Sequence, residues 1–115
     1  WDINEIETNY LNSIHMPENM ILRHRSTHFL HLFADSSYAA GYYVYLWAEV
    51  LDADGFDAFL EKNDVFDPET AHKLQKYIYS TGNSIDPNDA YRLFRGRDPT
   101  IIPMLKKKGL YSELN

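Results

Sequence analysis

The sequence of 115 residues contains no cysteine. This absence excludes disulfide bonds, thiolate metal ligands and a cysteine nucleophile, so any zinc ion would have to be held by histidines and carboxylates. Positive charge is also scarce, because 11 lysines and arginines face 17 aspartates and glutamates and leave a formal net charge of -6. That balance gives no basic field for a phosphate backbone and argues against a nucleic-acid partner.

Long apolar runs are missing as well. The sequence has no unbroken stretch of about 18 apolar residues, so we predict no membrane span and no membrane partner. The opening residues, WDINEIETNY, carry acidic side chains where a signal peptide needs a basic start. With 44% hydrophobic residues the chain can form a modest core. Its length predicts one helical domain over residues 1–115, without a linker.

Helical patterning is present at both ends of the chain. Apolar residues at helical spacing predict a helix over 2–14, which stops before Pro17 because the residue preceding a proline disfavours the α region. The pattern then dissolves, and residues 20–33 predict either a short extended piece or an irregular helix. Near the other end, Pro99 opens a last helix, and Pro103 inside it predicts a kink or a later start.

The middle of the chain predicts two consecutive helical segments. The first spans residues 38–52, with Ser36 or Ser37 as its N-cap. Asp54-Gly55 predicts a break, after which a second short apolar stripe continues as far as Lys62.

Two Asp-Pro pairs predict further helix starts. In Asp67-Pro68 and in Asp86-Pro87 the aspartate can cap the helix while proline occupies the first helical position, where its missing N–H is harmless. We expect these helices to end before left-handed glycines at Gly82 and Gly96. The predicted fold class is therefore all-α, an irregular helical bundle.

The most unusual feature is a block of tyrosines. Nine tyrosines occur in the chain, and four lie between Tyr38 and Tyr45. On a helix, Tyr38, Tyr42, Tyr45 and Glu49 would share one face. A second face would carry Tyr43, Leu46, Trp47 and Val50. We expect both faces to be buried. A row of phenols suits a cleft wall that donates hydrogen bonds to a ligand, whereas the alternative is a core helix whose hydroxyls bond to nearby carbonyls.

Three histidines form a second candidate group. His24, His28 and His31 follow the spacing H-x3-H-x2-H, which could place three imidazoles on one helical face around zinc. The signal is weak, because no carboxylate belongs to the motif and no HExxH sequence occurs. A single neutral histidine that donates to a developing oxyanion is the better functional interpretation. Structural histidines are the alternative.

Two other polar groups favour structural roles. Ser36 and Ser37 lie near His31 and Asp35, but a serine beside an aspartate in a turn usually caps the backbone, and we do not interpret these residues as a catalytic triad. The run Lys106–Lys108 is too short for a nucleic-acid patch. It is suited to complement the C-terminal dipole of a helix as part of a solvated tail.

The tyrosine block resembles a known family. The tripeptide His31-Leu32-Phe33 and the block at residues 38–51, YAAGYYVYLWAEVL, resemble the C-terminal part of the catalytic domain in the thimet oligopeptidase family of zinc metallopeptidases, and within it the bacterial peptidyl-dipeptidases. The likeness extends from about Arg23 onward. Further matching stretches are Asp52-Ala53-Asp54, Gly82-Asn83-Ser84, Tyr91-Arg92-Leu93-Phe94-Arg95-Gly96, Met104-Leu105 and Gly109-Leu110.

The resemblance implies an all-helical, two-lobed enzyme with a deep channel that admits short peptides. Zinc in that family is held by the two histidines of HExxH and a downstream glutamate, and this sequence carries none of these ligands. The chain thus resembles the part that closes the active site opposite the metal. We expect zinc in the full-length enzyme but no zinc bound by this chain, and no peptide hydrolysis by this chain alone. The implied compartment is the cytoplasm, with the periplasm left open.

The resemblance also implies roles for four residues. Tyr42 and Tyr45 match the catalytic tyrosines that face the scissile carbonyl, and Tyr45 is the expected electrophilic donor. His31 and Tyr38 match substrate-binding residues. The family's loop between that histidine and the first tyrosine is usually shorter and contains glycine, whereas Ala34–Ser37 has none.

Partners and alternatives follow from this interpretation. The expected partners are short peptide substrates and the missing N-terminal part of the peptidase, and exposed apolar surface predicts self-association. A stand-alone helical module that binds peptides without hydrolysing them is one alternative. Another is a non-catalytic subunit that completes a split peptidase.

Overall fold

A computed structural model describes residues 2–111, and every regular element in that range is helical. The prediction of an all-α fold is confirmed. The chain divides into two compact units, residues 2–42 and residues 43–111. The single domain expected from length stays a prediction, and the two units are described separately.

The first unit contains helix α1, Ile3–Ser13, followed by two short 3₁₀ turns. The helix begins there because the Asp2 carboxylate accepts hydrogen bonds from the first-turn backbone N–H groups. Its bounds agree with the prediction of 2–14. The 3₁₀ turns at Ser26–His28 and Leu30–Leu32 favour the irregular-helix alternative for the second half of the stretch 20–33, whereas residues 20–25 are not helical. No residue in 2–42 is fully buried.

The second unit begins with helix α2, Tyr43–Leu60, which is continuous over 18 residues. Two predictions were therefore wrong: a helix start at Tyr38 and a break at Asp54-Gly55. Residues 38–42 form turns, in which the Gly41 N–H donates to the Tyr38 carbonyl and Ala40 adopts a left-handed φ of 53°. Gly55 lies inside the helix and packs against the Phe94 ring. A Cβ atom at this position would be 3.6 Å from that ring.

The next two helices begin at their prolines, as predicted. Helix α3, Pro68–Leu74, is capped by the Asp67 carboxylate and continues into a π-helical turn, Gln75–Tyr79. Helix α4, Pro87–Arg95, is capped by Asp86 and ends at the left-handed Gly96. Helix α5, Ile102–Lys107, starts later than Pro99, which was one of the two predicted outcomes.

Two small apolar clusters form the core of the second unit. Helices α2 and α5 meet through Val50, Ala53 and Met104. A second cluster packs α2 against α4, the end of α3 and the π-helical turn. Its members are Ala58, Tyr91 and Phe94, with Leu51, Leu74, Tyr77 and Ile78 at the edge.

Candidate functional site

Three of the four predicted site residues, His31, Tyr38 and Tyr42, lie together in the first unit. The His31 ring lies 4.3 Å from the Tyr38 ring, and the two tyrosine rings are 5.5 Å apart, all measured between centroids. A hydrogen bond of 2.5 Å joins His31 Nδ1 to the Tyr42 hydroxyl. We name these three residues the aromatic cluster. Its tyrosines are half-buried and its histidine is exposed, so the cluster lies at the surface of the first unit.

Local backbone geometry brings the cluster together. His31 belongs to the 3₁₀ turn Leu30–Leu32, and Asp35 then turns the chain because its carboxylate accepts a hydrogen bond of 2.7 Å from the Ser37 backbone N–H. That bond lowers the pKa of Asp35. The aspartate caps this turn as predicted, whereas the prediction that Ser36 or Ser37 caps a helix is wrong, because α2 begins only at Tyr43. The turn replaces the helix that was predicted to begin at Tyr38, so proximity within the cluster comes from turns and not from helical spacing.

The hydrogen bond between His31 and Tyr42 has a chemical consequence. A phenol carries one proton and a neutral imidazole carries one N–H, so the bond can form in two ways. If Tyr42 donates to Nδ1, its proton is occupied. If Nδ1–H donates to the phenol oxygen, the Tyr42 hydroxyl keeps its proton for another acceptor. The second arrangement is the one that leaves a hydrogen-bond donor for a ligand.

Phe29 packs against the cluster, and Glu7 of α1 binds the segment that precedes Phe29. The Phe29 ring lies 4.9 Å from the Tyr42 ring and is stacked on the His24 ring at 4.8 Å. The Glu7 carboxylate accepts hydrogen bonds from the Arg25 guanidinium at 2.8 Å and from the Ser26 N–H at 2.9 Å. The pKa of Glu7 is lowered, chiefly by the Ser26 backbone bond.

The fourth predicted site residue, Tyr45, lies on the first turn of α2 in the second unit. Because α2 begins only at Tyr43, the predicted four-residue face from 38 to 49 does not exist as a helical face. The expectation of burial on both faces was also wrong. Tyr43 is 73% exposed, Tyr45 55% and Trp47 46%, whereas Val50 is buried.

Two of the three histidines that were weighed as zinc ligands make other contacts in the structure. His24 is stacked on Phe29, and His31 bonds to Tyr42. Over residues 2–111, no group of three histidine, cysteine, aspartate or glutamate side chains is placed to hold a metal ion.

The second unit also contains a buried charge network that the sequence did not predict. Asp54, in the middle of α2, is fully buried. Its Oδ2 accepts a hydrogen bond of 2.6 Å from the Tyr91 hydroxyl and one of 3.3 Å from Arg95 Nε, while Oδ1 lies 2.8 Å from Arg97 Nη2. Arg95 is also almost buried, and it donates two hydrogen bonds to Glu61, at 2.8 and 3.0 Å.

The network shifts the pKa of its members. Burial acts to raise the pKa of Asp54, but the Arg97 guanidinium at 2.8 Å, the hydrogen bond from Tyr91 and the charge of Arg95 outweigh it, and the pKa is lowered. Burial and the Asp54 carboxylate raise the pKa of Tyr91. The signal that could have revealed this network was an aspartate inside an apolar helical run, with two arginines, Arg95 and Arg97, close together downstream.

The lysine run pairs with α2. Lys107 Nζ lies 3.3 Å from an Asp52 oxygen, and Lys108 Nζ lies 2.7 Å from a Glu49 oxygen. Lys106 and Lys107 also stand in the last turn of α5, as the dipole argument predicted. Two of the three lysines therefore pair with carboxylates of α2. The predicted solvated tail did not include these pairs.

Comparisons with known proteins are consistent. The family model described as Peptidase family M3 matches residues 2–110. Dipeptidyl carboxypeptidase of Escherichia coli is 40% identical over 114 residues, which is 95% of this chain and 16% of that protein. Oligopeptidase A of the same organism is 46% identical over 82 residues, 71% of this chain and 12% of that protein. Saccharolysin of Saccharomyces cerevisiae is 37% identical over 82 residues, 71% of this chain and 11% of that protein. The chain thus spans less than a fifth of each of these relatives.

One further observation concerns membranes. Within residues 2–111, no helix combines the length and the apolar character that crossing a bilayer requires.

Proposed function

The chain belongs to peptidase family M3, as its tyrosine block predicted, and from this membership we propose that it is the part of a zinc-dependent oligopeptidase or peptidyl-dipeptidase that binds the peptide and stabilises the oxyanion. Because the chain spans 16% of dipeptidyl carboxypeptidase, the activity belongs to the whole enzyme. Short peptides are the proposed substrates, and the rest of the peptidase is the proposed partner. Cytoplasmic residence stays a prediction.

The observation that supports this proposal is the aromatic cluster. A hydrogen bond between His31 Nδ1 and the Tyr42 hydroxyl, beside the Tyr38 ring, gives a set of donors with one fixed phenol at the surface of the first unit. Peptide backbones present carbonyl oxygens, and phenol and imidazole N–H groups are suitable donors to them. We assign Tyr38 and His31 to substrate binding.

We assign stabilisation of the oxyanion to Tyr42 and Tyr45. When a peptide carbonyl is attacked, negative charge develops on its oxygen, and a donor held at that position stabilises the transition state more than the ground state. With the Nδ1–H tautomer of His31, Tyr42 keeps its proton for that oxygen. Tyr45 remains the expected principal donor.

We assign zinc to other parts of the enzyme. The resemblance to zinc metallopeptidases implies a zinc ion there, which when bound would supply Lewis-acid chemistry and activate water. The described residues of this chain do not provide a ligand group, and the proposed roles of His31 and the tyrosines do not depend on one.

The test uses a chimeric enzyme, in which this chain replaces the matching segment of E. coli dipeptidyl carboxypeptidase. Tyr45→Phe should lower kcat roughly a hundredfold or more and leave KM nearly unchanged, because the lost hydroxyl acts on the transition state. Tyr42→Phe should act in the same direction. Steady-state hydrolysis of a short fluorogenic peptide measures both constants.

Tyr43→Phe is the matched control. Two residues along a helix correspond to about 200°, so Tyr43 and Tyr45 point to opposite sides of α2. The control should retain its kcat. If Tyr45→Phe also retained its kcat, the oxyanion role would be wrong. A rise in KM alone would favour the peptide-binding module.

A further inference from the structure

We propose that Glu7 and Phe29 are positioning residues that fix the direction of the Tyr42 hydroxyl. This inference rests on the proposed role of Tyr42 in oxyanion stabilisation. Neither residue touches the substrate in this proposal. Glu7, on α1, binds the turn at Ser26–His28. Phe29, which follows that turn, packs against the Tyr42 ring.

The first step is the contact of Glu7 with the turn. One carboxylate accepts from three donors, Arg25 Nε at 3.2 Å, Arg25 Nη2 at 2.8 Å and the Ser26 N–H at 2.9 Å. The Glu7 side chain is only 12% exposed, which distinguishes this ion pair from ordinary surface pairs. The bond from Ser26 involves its backbone N–H, so Glu7 fixes the position of the start of the 3₁₀ turn relative to α1.

The second step is the contact of Phe29 with Tyr42. Phe29 follows the turn directly and is half-buried. Its ring lies between two others, stacked on His24 at an interplanar angle of 24° and tilted against Tyr42 at 57°. Both centroid distances, 4.8 and 4.9 Å, fall within the range of favourable aromatic pairs. The turn fixed by Glu7 thus places a ring against Tyr42.

The third step concerns the orientation of the Tyr42 side chain. The bond to His31 Nδ1 holds its oxygen, and the His31 and Tyr38 rings lie 5.8 and 5.5 Å from its ring. Phe29 packs against the same ring at a shorter centroid distance, 4.9 Å, and so contributes to its orientation. Together these contacts determine where the hydroxyl proton can point. Misplacement of a reacting group by about 1 Å can reduce the rate about a hundredfold.

The first experiment uses the intact 115-residue chain and measures the ¹⁵N chemical shifts of the His31 imidazole by NMR. Phe29→Leu keeps apolar volume but removes the ring, and it should move the His31 signals toward those of the Tyr42→Phe chain. Glu7→Gln should move them in the same direction. Phe29→Tyr, which restores a ring, should leave them near the original position.

Two matched controls accompany these variants. Phe33 lies in the same segment and is 67% exposed, and Glu5 lies on the same helix as Glu7 and is exposed. Phe33→Leu and Glu5→Gln should leave the His31 signals unchanged. The proposal is overturned if Phe29→Leu and Glu7→Gln also leave them unchanged, or if the control variants move them equally.

The second experiment is a double-mutant cycle in the chimeric enzyme. Phe29→Leu should lower kcat roughly 10- to 100-fold, and it should have no further effect in the Tyr42→Phe background, because the residue acts through that hydroxyl. Additive effects would indicate general destabilisation and would contradict the inference. If Tyr42→Phe alone left kcat and KM unchanged, the proposed function of Tyr42 would fail, whereas the NMR result would still test the positioning contact by itself.

Discussion

Asp54 shows how much one residue can contribute to this chain. It is a charged side chain in the middle of α2, fully buried, and its carboxylate faces Tyr91, Arg95 and Arg97. Removing a charge from water is costly unless partners replace the lost hydration. These three residues lie in or just after α4, so the carboxylate joins two helices that are far apart in sequence.

We predict that Asp54→Asn lowers the free energy of unfolding by about 2 kcal/mol, because Arg95 and Arg97 lose a charged acceptor while Arg95 keeps its pair with Glu61. The matched control is Asp52→Asn on the same helix, whose exposed pair with Lys107 should contribute less than about 1 kcal/mol. Urea denaturation followed by circular dichroism measures both. Equal losses for the two variants would contradict the assignment of Asp54 as the essential charge.

The same carboxylate predicts an acid-sensitive fold. Its pKa is lower in the folded chain than in the unfolded chain, where it is near the ordinary 3.8. The stabilisation is therefore fully present above that ordinary value, and it is lost as the pH falls through the lower, folded-state pKa. Asp54→Asn should accordingly show a weaker dependence of unfolding free energy on pH below about 4. If the pH dependence below about 4 were unchanged, other carboxylates would determine the acid sensitivity.

At the scale of elements, local signals predicted the helix boundaries well. Asp67 and Asp86 cap their helices, and Gly96 ends α4, because capping depends on a few neighbouring residues. The break predicted at Gly55 was wrong because Phe94, a residue far along the chain, packs against that position. A glycine's role in a helix therefore depends on tertiary contacts that no local pattern contains.

These two glycines predict opposite effects of the same substitution. Gly55→Ala should raise the free energy of unfolding by about 0.5 to 1 kcal/mol, because the helix loses a flexible residue and the new Cβ makes an ordinary contact with Phe94. Gly96→Ala should lower it by about 1 kcal/mol, because φ is +76° there. Thermal unfolding of the two variants gives the signs. A destabilised Gly55→Ala would mean that the ring cannot accommodate the methyl group.

The candidate site was predictable only as a set of residues. His31, Tyr38 and Tyr42 do lie together, but turns at residues 35–42 unite them and not a helical face. The supporting contacts of Glu7 and Phe29 span up to 19 residues of sequence and show no period. Patterns of spacing report faces of regular elements, so they could not reveal contacts made by irregular backbone.

For the whole molecule, the exposed start of α2 predicts self-association. Five consecutive apolar or aromatic residues, 43–47, are between 46% and 73% exposed, and the apolar patch should exceed the ~300 to 600 Å² usual for a monomer. Light scattering over a dilution series should show a rising mass with concentration. Leu46→Glu should weaken it, and Ile21→Glu, at an exposed position of the first unit, should not. A monodisperse monomer at high concentration would contradict the prediction.

We also predict that the isolated chain neither binds zinc tightly nor hydrolyses peptides, because a catalytic zinc site needs three protein ligands and an open position. Calorimetric zinc titration and a quenched-peptide assay test the two statements. Stoichiometric sub-micromolar binding with turnover would overturn them, and it would make His24, His28 and His31 the first candidates for ligands.

The continuity of α2 has a consequence for local opening. Its middle is covered by both apolar clusters and held by Asp54, whereas its first turns are exposed. The free energy of local opening should therefore increase from the start of α2 toward its middle. We expect amide hydrogens of residues 50–59 to exchange with solvent far more slowly than those near Tyr45. The turn that carries the proposed oxyanion donor is thus the part of α2 that opens most easily, so ordering it on contact with substrate or with the rest of the enzyme costs conformational entropy.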